Sequence, residues 1–139
     1  MASVIYNSYK ANIESIGWAT TDKIKVMLVT SDYTPDVDNH KHKSDVTHEV
    51  SGDGYTAGGE EITNRTMVED DTNDLAKATA DNVTFKDVSI TARGAVIYHD
   101  TGDDTTSELI AYLDFGADQT VTDSDFELQW DENGIFTIA

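Results

Sequence analysis

Hydrophobic and polar positions alternate strictly in one stretch near the end of the chain. Residues 125–130, DFELQW, place Phe126, Leu128 and Trp130 on one side of an extended backbone, which predicts a half-buried strand. Residues 23–30, KIKVMLVT, predict a second strand with one apolar face and one partly wet face. Both strands need another layer of the protein to cover their apolar sides.

The longest largely apolar segment is a hairpin at residues 90–115, with the sequence ITARGAVIYHDTGDDTTSELIAYLDF. Each of its two strands has apolar side chains on both faces, which favours a buried position in the middle of a sheet. Residues 99–107 between the strands are rich in Asp, Thr, Ser and Gly, which form turns. We therefore expect a central pair of strands joined by an exposed acidic turn.

The rest of the chain predicts one helix and several shorter strands. An amphipathic helix at residues 3–16 would begin at Ser3 as its N-cap and place Tyr6, Tyr9 and Ile13 on one side. Further strands are predicted at residues 62–68, 75–79, 83–89 and 135–138, and loops or turns at residues 116–123 and 131–134.

A long loop is predicted at residues 31–53, which contain the single proline and three of the four histidines, with a helical turn at residues 44–48 capped by Ser44. Short strands at near-regular spacing after one helix are typical of all-β architectures. We expect a mainly β fold, either a β-sandwich or a small jelly-roll-like β-barrel, with one N-terminal α-helix. The length predicts a single domain over residues 1–139.

The net charge of −18, from 27 acidic and 9 basic residues, is the strongest feature of the composition. Because nucleic-acid binding relies on basic side chains that neutralise phosphates, we expect no nucleic-acid partner. No apolar run approaches the ~20 residues of a membrane span, and the N-terminus lacks the apolar core of a signal peptide, so we expect no membrane partner. The charge fits either a strongly solvated surface or a solvent-facing subunit of a crowded assembly.

Aspartates and histidines are the residues from which a metal site would be built. Clustered loop aspartates can bind calcium, but no segment has the regular spacing of a calcium loop, and aspartate is also a common turn residue. His40 and His42 form a His-x-His pair, which would need a further ligand to bind zinc. We therefore predict no metal ligands. The aspartate clusters are Asp70, Asp71 and Asp74, then Asp100, Asp103 and Asp104, and finally Asp123 and Asp125.

The sequence contains no recognisable catalytic motif. It has no cysteine and no G-x-S-x-G segment, and Gly58 and Gly59 are not followed by the Lys-Ser/Thr pair of a phosphate-binding loop. Paired carboxylates, such as those that glycosidases use, are abundant but unspecific here. We therefore predict no catalytic residue, no cofactor and no enzyme activity.

The chain resembles small virion structural proteins of tailed bacteriophages. The resemblance is carried, in order and with similar spacing, by the segments KIKVMLVTSDYTPD, SDVTHEVSGDGYTAGG, VSITARGAVIYHDTG, LIAYLDFG and FELQWDENGI. These are patterns of strands and turns rather than a catalytic motif. The resemblance implies a non-enzymatic, β-rich component of a virus particle.

The preferred role that this resemblance implies is a capsid decoration (cement) protein. Such a protein would be made in the host cytoplasm and lie on the capsid exterior, where it bridges subunits of the major capsid protein. It would act as a homo-oligomer, with a trimer expected by analogy. Two alternatives stay open: a tail fibre, baseplate or other tail-associated protein, and a calcium- or carbohydrate-binding β-module.

Partner contacts are expected in the N-terminal segment and in the long loop, because the predicted sheet accounts least for these stretches. Tyrosine is also enriched at the centres of protein interfaces. The candidate contact residues are Tyr6, Tyr9, Tyr33, Pro35, His40, His42 and Tyr55.

Overall fold

The computed structural model describes residues 3–11, 17–19, 22–130 and 134–138. All described strand pairs are antiparallel, and they form two sheets with the orders β1-β7-β6-β2-β3 and β4-β5-β8. The predicted mainly β fold with one N-terminal helix is confirmed, and the two sheets are consistent with a β-sandwich. The elements are β1 (Val4–Ile5), α1 (Asn7–Ala11), β2 (Ile24–Val29), β3 (Glu60–Glu61), β4 (Thr66–Asp70), β5 (Leu75–Thr79), β6 (Val83–His99), β7 (Leu109–Leu128) and β8 (Phe136–Ile138).

The hairpin of β6 and β7 is longer than the sequence predicts, with strands of 17 and 20 residues. The loop predicted at residues 116–123 is wrong, because these residues lie within β7. The pairing of the two strands shifts register at several points, and positive φ angles occur at Gly116, Asp87 and Asp123. Bulges of this kind bend a strand without ending it. The turn-forming residues at 116–123 therefore bend β7 and do not end it.

The predicted central position of the hairpin in its sheet is confirmed, and both faces of the hairpin are covered. β6 pairs with β2 on one side, from Ile24↔His99 to Val29↔Gly94, and with β7 on the other. One face packs in an apolar cluster with Ala78 and Phe136 of the second sheet. The opposite face packs in a second cluster, where Tyr6, Tyr33 and partly buried residues cover the sheet; its buried members are Tyr6, Met27, Val29, Tyr33, Val96, Tyr98, Leu109 and Tyr112.

The prediction of a helix from residue 3 is wrong in its first turn. Val4–Ile5 instead form a strand that pairs with Tyr112 and Ala111 of β7, and α1 begins at Asn7. Ser3 does not cap the helix, because its hydroxyl oxygen accepts a hydrogen bond from the Asp114 backbone N–H at 2.9 Å. Val4 and Ile5 are both β-branched. Beside an open strand edge, such residues gain more stability from pairing with that edge than from forming a helical turn. Residues 12–16 of the predicted helix lie outside the described residues.

Two local predictions also need correction. The strand predicted at residues 62–68 is interrupted, because Asn64 adopts a φ of 53° and β4 starts only at Thr66. The predicted helical turn exists as a 3-10 turn, Lys43–Asp45, but Ser44 does not cap it. The Asp45 carboxylate instead accepts hydrogen bonds from the backbone N–H groups of Lys41 and His42, at 2.9 and 3.0 Å. The turn predicted at 131–134 lies outside the described residues except for its last position.

Candidate binding surface

A chain of hydrogen bonds ties the long loop to the N-terminal segment. The hydroxyl oxygens of Tyr6 and Tyr33 are 2.7 Å apart, and the Tyr33 hydroxyl lies 3.0 Å from Nδ1 of His40. The same Nδ1 accepts a hydrogen bond from the Asp36 backbone N–H at 3.2 Å. Because Nδ1 is thereby an acceptor, Tyr33 donates to His40, and Tyr6 donates to Tyr33. The loop is therefore anchored by side chains that the sequence suggested as partner contacts.

The tyrosines of this chain are neutral hydroxyls at ordinary pH. Burial, with the hydrogen bond between the two hydroxyls, raises the pKa of Tyr6 well above its usual value. Burial is also the main cause that raises the pKa of Tyr33 to about 12. The ring of Tyr33 stacks on His40 and packs against Tyr112, with centroid distances of 5.7 and 5.9 Å. Tyr6 and Tyr33 therefore position the loop as neutral hydroxyl groups.

A second anchor holds the end of the loop against β2. One carboxylate oxygen of Glu49 accepts hydrogen bonds from the Tyr55 hydroxyl and from the Gly58 backbone N–H, both at 2.7 Å. The Tyr55 oxygen in turn accepts from the Leu28 N–H at 3.0 Å, and its ring stacks on Phe85. Burial raises the pKa of Tyr55 above its usual value. The loop is therefore fixed on the sheet at two separate points.

The candidate contact residues divide into a buried set and an accessible set. Tyr6, Tyr9 and Tyr33 are buried, and Tyr9 packs edge-on against Phe136 on the opposite side of the sheet from the other two. A partner cannot reach these three rings without a rearrangement of the fold. The half-buried residues Pro35, His40, His42 and Tyr55 leave part of their surface accessible. Contact with a partner stays a prediction for this second set.

The histidines of the long loop do not converge on one point. His40 is engaged by Tyr33, and Nδ1 of His48 lies 2.8 Å from the Thr47 hydroxyl. His99, at the end of β6, places Nε2 3.8 Å from a carboxylate oxygen of Asp22. Within the described ranges, no group of three or more His, Asp or Glu side chains is arranged to hold a metal ion.

The hairpin turn between β6 and β7 is exposed, as predicted, but it is also braced. The backbone N–H of Ser44 donates to the Asp104 carbonyl at 3.0 Å, and that of Lys43 donates to the Ser107 carbonyl at 2.8 Å. Ser107 is fully buried, and its hydroxyl donates to the Asp103 carbonyl at 2.9 Å. The turn and the long loop therefore support each other.

Replacing Asp103 with serine is expected to leave the stability of the protein nearly unchanged. The Asp103 carboxylate accepts hydrogen bonds from the Thr105 N–H and hydroxyl, at 2.9 and 2.7 Å, and these bonds lower its pKa. A serine hydroxyl can accept the backbone bond, whereas Asp103→Ala removes the acceptor and should lower the melting temperature slightly more. A large loss for Asp103→Ser in a thermal melt would indicate a bound cation instead.

Two open grooves lie along β7, and both are lined by a mixture of apolar and polar side chains. One, of about 450 Å³, has Phe115, Val121 and Phe126 in its wall. The other, of about 510 Å³, is lined largely by serine and threonine residues together with Glu49, whose carboxylate already holds the long loop.

Tyr33 and Tyr55, the two tyrosines suggested for a carbohydrate site, do not offer open ring faces. Tyr33 is 3% exposed, and Tyr55 is half-buried with one face against Phe85. Stacking on a sugar requires an accessible ring face, so neither tyrosine offers one in this arrangement. The carbohydrate alternative thus has to use other residues.

The described ion pairs neutralise only a small part of the acidic surface. Basic side chains pair with carboxylates at 3.2 to 3.5 Å, in the pairs Lys25–Asp100, Lys43–Asp104, Lys77–Asp70 and Arg93–Asp114. The chain carries 27 acidic residues against 9 basic ones, so most carboxylates face solvent and each other. Such an excess opposes the folded state by self-repulsion.

We expect salt to raise the melting temperature of the isolated protein. Increasing sodium chloride from about 0.01 M to about 1 M shortens the screening length from about 30 Å to about 3 Å and weakens this repulsion. The measurement is a series of calorimetric melts at pH 7, repeated at pH 4, where fewer carboxylates are charged and the effect should shrink. A melting temperature that does not rise with salt would show that the charges are already compensated.

Comparison with known proteins assigns the chain to no group. No protein-family model matches it, and no curated protein or solved structure is significantly similar to it. No helix in the described part of the chain is both long and apolar enough to cross a membrane.

Proposed function

We propose that this protein is a capsid decoration protein of a tailed bacteriophage, which binds the outside of the head and bridges neighbouring subunits of the major capsid protein. The resemblance of its strand and turn segments to small virion structural proteins is the origin of this proposal. Its net charge of −18 supports a position facing solvent and away from packaged DNA.

One observation carries the proposal: polar side chains of the long loop hold that loop in place on the sheet. Tyr33, His40 and Glu49 are occupied in holding the loop to the sheet, at donor–acceptor distances of 2.7 to 3.0 Å. A surface fixed in this way loses little conformational entropy when it binds. Preorganised contacts that are weak one by one become effective when several subunits are engaged together.

The proposal is tested by locating the protein in phage particles. Immunogold labelling and cryo-electron microscopy of virions are expected to show many copies spread over the head, with three-fold clusters if the protein is a trimer. Few copies at one end would favour a tail protein, and purified virions that lack the chain would overturn a structural role. Analytical ultracentrifugation of the isolated protein gives the oligomeric state independently.

A further inference from the structure

The outer strand of the second sheet carries apolar side chains that the fold does not cover. Met67 and Val68 of β4 are 37% and 46% exposed, and they are the exposed large apolar side chains of the described residues. Successive residues of a strand point to opposite faces, so the two side chains lie on the two sides of β4. Neither face of this strand is therefore buried against the core at these positions.

The backbone of β4 is open along one edge. Its residues pair with β5 from Thr66↔Thr79 to Asp70↔Leu75, and no described strand pairs with the other edge. An open edge presents alternate N–H and C=O groups that another strand can bond. Proteins often protect such an edge with lysine, proline or a bulge, and the sequence TMVED in regular register has none of these; its charged residues, Glu69 and Asp70, are acidic and repel other acidic segments but not basic ones.

The charges around β4 are acidic and largely uncompensated. Asp70 pairs with Lys77 at 3.3 Å, but Glu69, Asp71 and Asp74 make no ion pair with the described residues. Arg65, which directly precedes β4, directs its guanidinium inward to the backbone carbonyls of Trp18, Asp22 and Ile62. The edge therefore combines an apolar centre with a negative border.

We infer that β4 is a docking edge for an extended segment of another protein, in which apolar and basic residues alternate. The segment would add to the sheet as a fourth strand, with its apolar side chains on the face of Val68 and its lysines or arginines on the opposite face, beside Glu69 and Asp71. A second copy of this chain fits less well, because its β4 brings the same acidic side chains and contains no basic residue. The inference rests on the proposed function only in requiring a protein partner.

The first experiment uses the intact protein and a synthetic peptide that alternates lysine and valine. Nuclear magnetic resonance titration is expected to shift the backbone amides of β4 and its neighbour β5, and a peptide with glutamate in place of lysine is expected not to bind. Shifts centred elsewhere, or equal shifts with both peptides, would overturn the inference. Binding should weaken with added salt, as expected for a charged border.

Val68→Lys is the decisive variant, and Thr63→Lys is its matched control. Both changes add one positive charge at an exposed position, but Thr63 lies outside β4. Val68→Lys is expected to lower the affinity for the basic peptide at least tenfold, and Thr63→Lys by less than about twofold. Equal losses would mean unspecific charge attraction and would overturn the inference. Circular dichroism melts establish that both variants are folded.

The outcomes separate this inference from the proposed function. If the protein decorates phage heads and Val68→Lys binds them as tightly as the natural chain, the docking edge is wrong and the proposed function stands. If the variant loses peptide binding but the protein is not found in virions, the edge stands and the proposed function is wrong. A dimer of the natural chain that Val68→Lys dissociates would identify a second copy as the occupant and overturn the basic partner.

Discussion

Replacing Gly94 with valine is expected to abolish cooperative folding. A Cβ atom at this position would lie 2.7 Å from the Leu113 carbonyl oxygen and 2.7 Å from both Cε1 and the hydroxyl oxygen of Tyr112, closer than real side chains approach. Gly94 pairs with Val29 of β2 on one side and Asp114 of β7 on the other, so the strand cannot move without breaking a ladder. Overpacking alone typically costs about 1–3 kcal/mol, and a backbone clash adds to it.

Urea denaturation followed by circular dichroism measures this effect. Total stabilities of small proteins are about 5–15 kcal/mol, so Gly94→Val should show no cooperative transition or a midpoint near zero urea. Thr122→Val, an exposed change of similar shape in β7, serves as the control and should leave the midpoint almost unchanged. A Gly94→Val protein that unfolds at the natural midpoint would contradict the close packing of the central hairpin.

A double variant locates the origin of the clash. Gly94→Ala should be strongly destabilising alone and less so when Tyr112 is also changed to leucine, because two of the three closest atoms, Cε1 and the hydroxyl oxygen, belong to the Tyr112 side chain. Residues in direct contact show such non-additive effects, whereas distant residues do not. Strictly additive free energies of unfolding would mean that only the Leu113 carbonyl limits this position.

Tyr112→Asp is expected to unfold the protein at pH 7. The side chain of Tyr112 is 2% exposed and packs in the second apolar cluster against Tyr33. Truncating a buried aromatic residue typically costs about 3–5 kcal/mol through the cavity it leaves. The new carboxylate would also be desolvated and close to the charge of Asp114, which costs more.

The pH dependence separates the cavity from the charge. Burial raises the pKa of a carboxyl group, so the Tyr112→Asp penalty should shrink as the pH falls and the group takes up a proton. Tyr112→Ala should show the loss of stability that the cavity causes, without this added pH dependence. Tyr112→Phe should be nearly neutral, because within the described residues the Tyr112 hydroxyl makes no hydrogen bond. A Tyr112→Phe loss as large as that of Tyr112→Asp would contradict both arguments.

The sequence predicted well those strands whose side-chain pattern decides their structure locally. Residues 75–79 coincide with β5, and the strands predicted at 23–30 and 135–138 contain β2 and β8. The two-sided apolar character of the central hairpin correctly indicated cover on both faces. In these segments the alternation of side chains and the turn residues at the ends are sufficient to predict a strand, because both features depend only on residues that are close in the sequence.

The errors arose where a distant part of the chain competes with the local signal. Val4–Ile5 became a strand because β7 offers an edge more than 100 residues later in the sequence. Gly116 and Asp123 did not end β7, because pairing with β6 continues on either side of each irregularity. A local pattern contains no information on either pairing, since ladder hydrogen bonds join residues far apart in the chain.

The candidate surface shows the same division. Residue types pointed to the long loop and its tyrosines, but they did not separate Tyr33, which is buried, from His40 and Pro35, which stay partly accessible. Tyrosine has both an apolar ring and a polar hydroxyl, so it suits a core and an interface equally. The exposed edge at Met67 and Val68 had no distinct sequence signal, because apolar residues in a short strand ordinarily indicate burial.

The sequence by itself determined the chemical character of the protein: its acidic charge, its lack of cysteine, its mainly β composition and its central apolar hairpin. The tertiary structure alone decided which strand lies at an edge, which tyrosines anchor the loop, and which apolar residues remain uncovered. The physical reason is that composition and periodicity act between near neighbours, whereas burial and edge pairing depend on which distant segments meet. The outer edge of β4 stays unpaired because no described strand lies beside it.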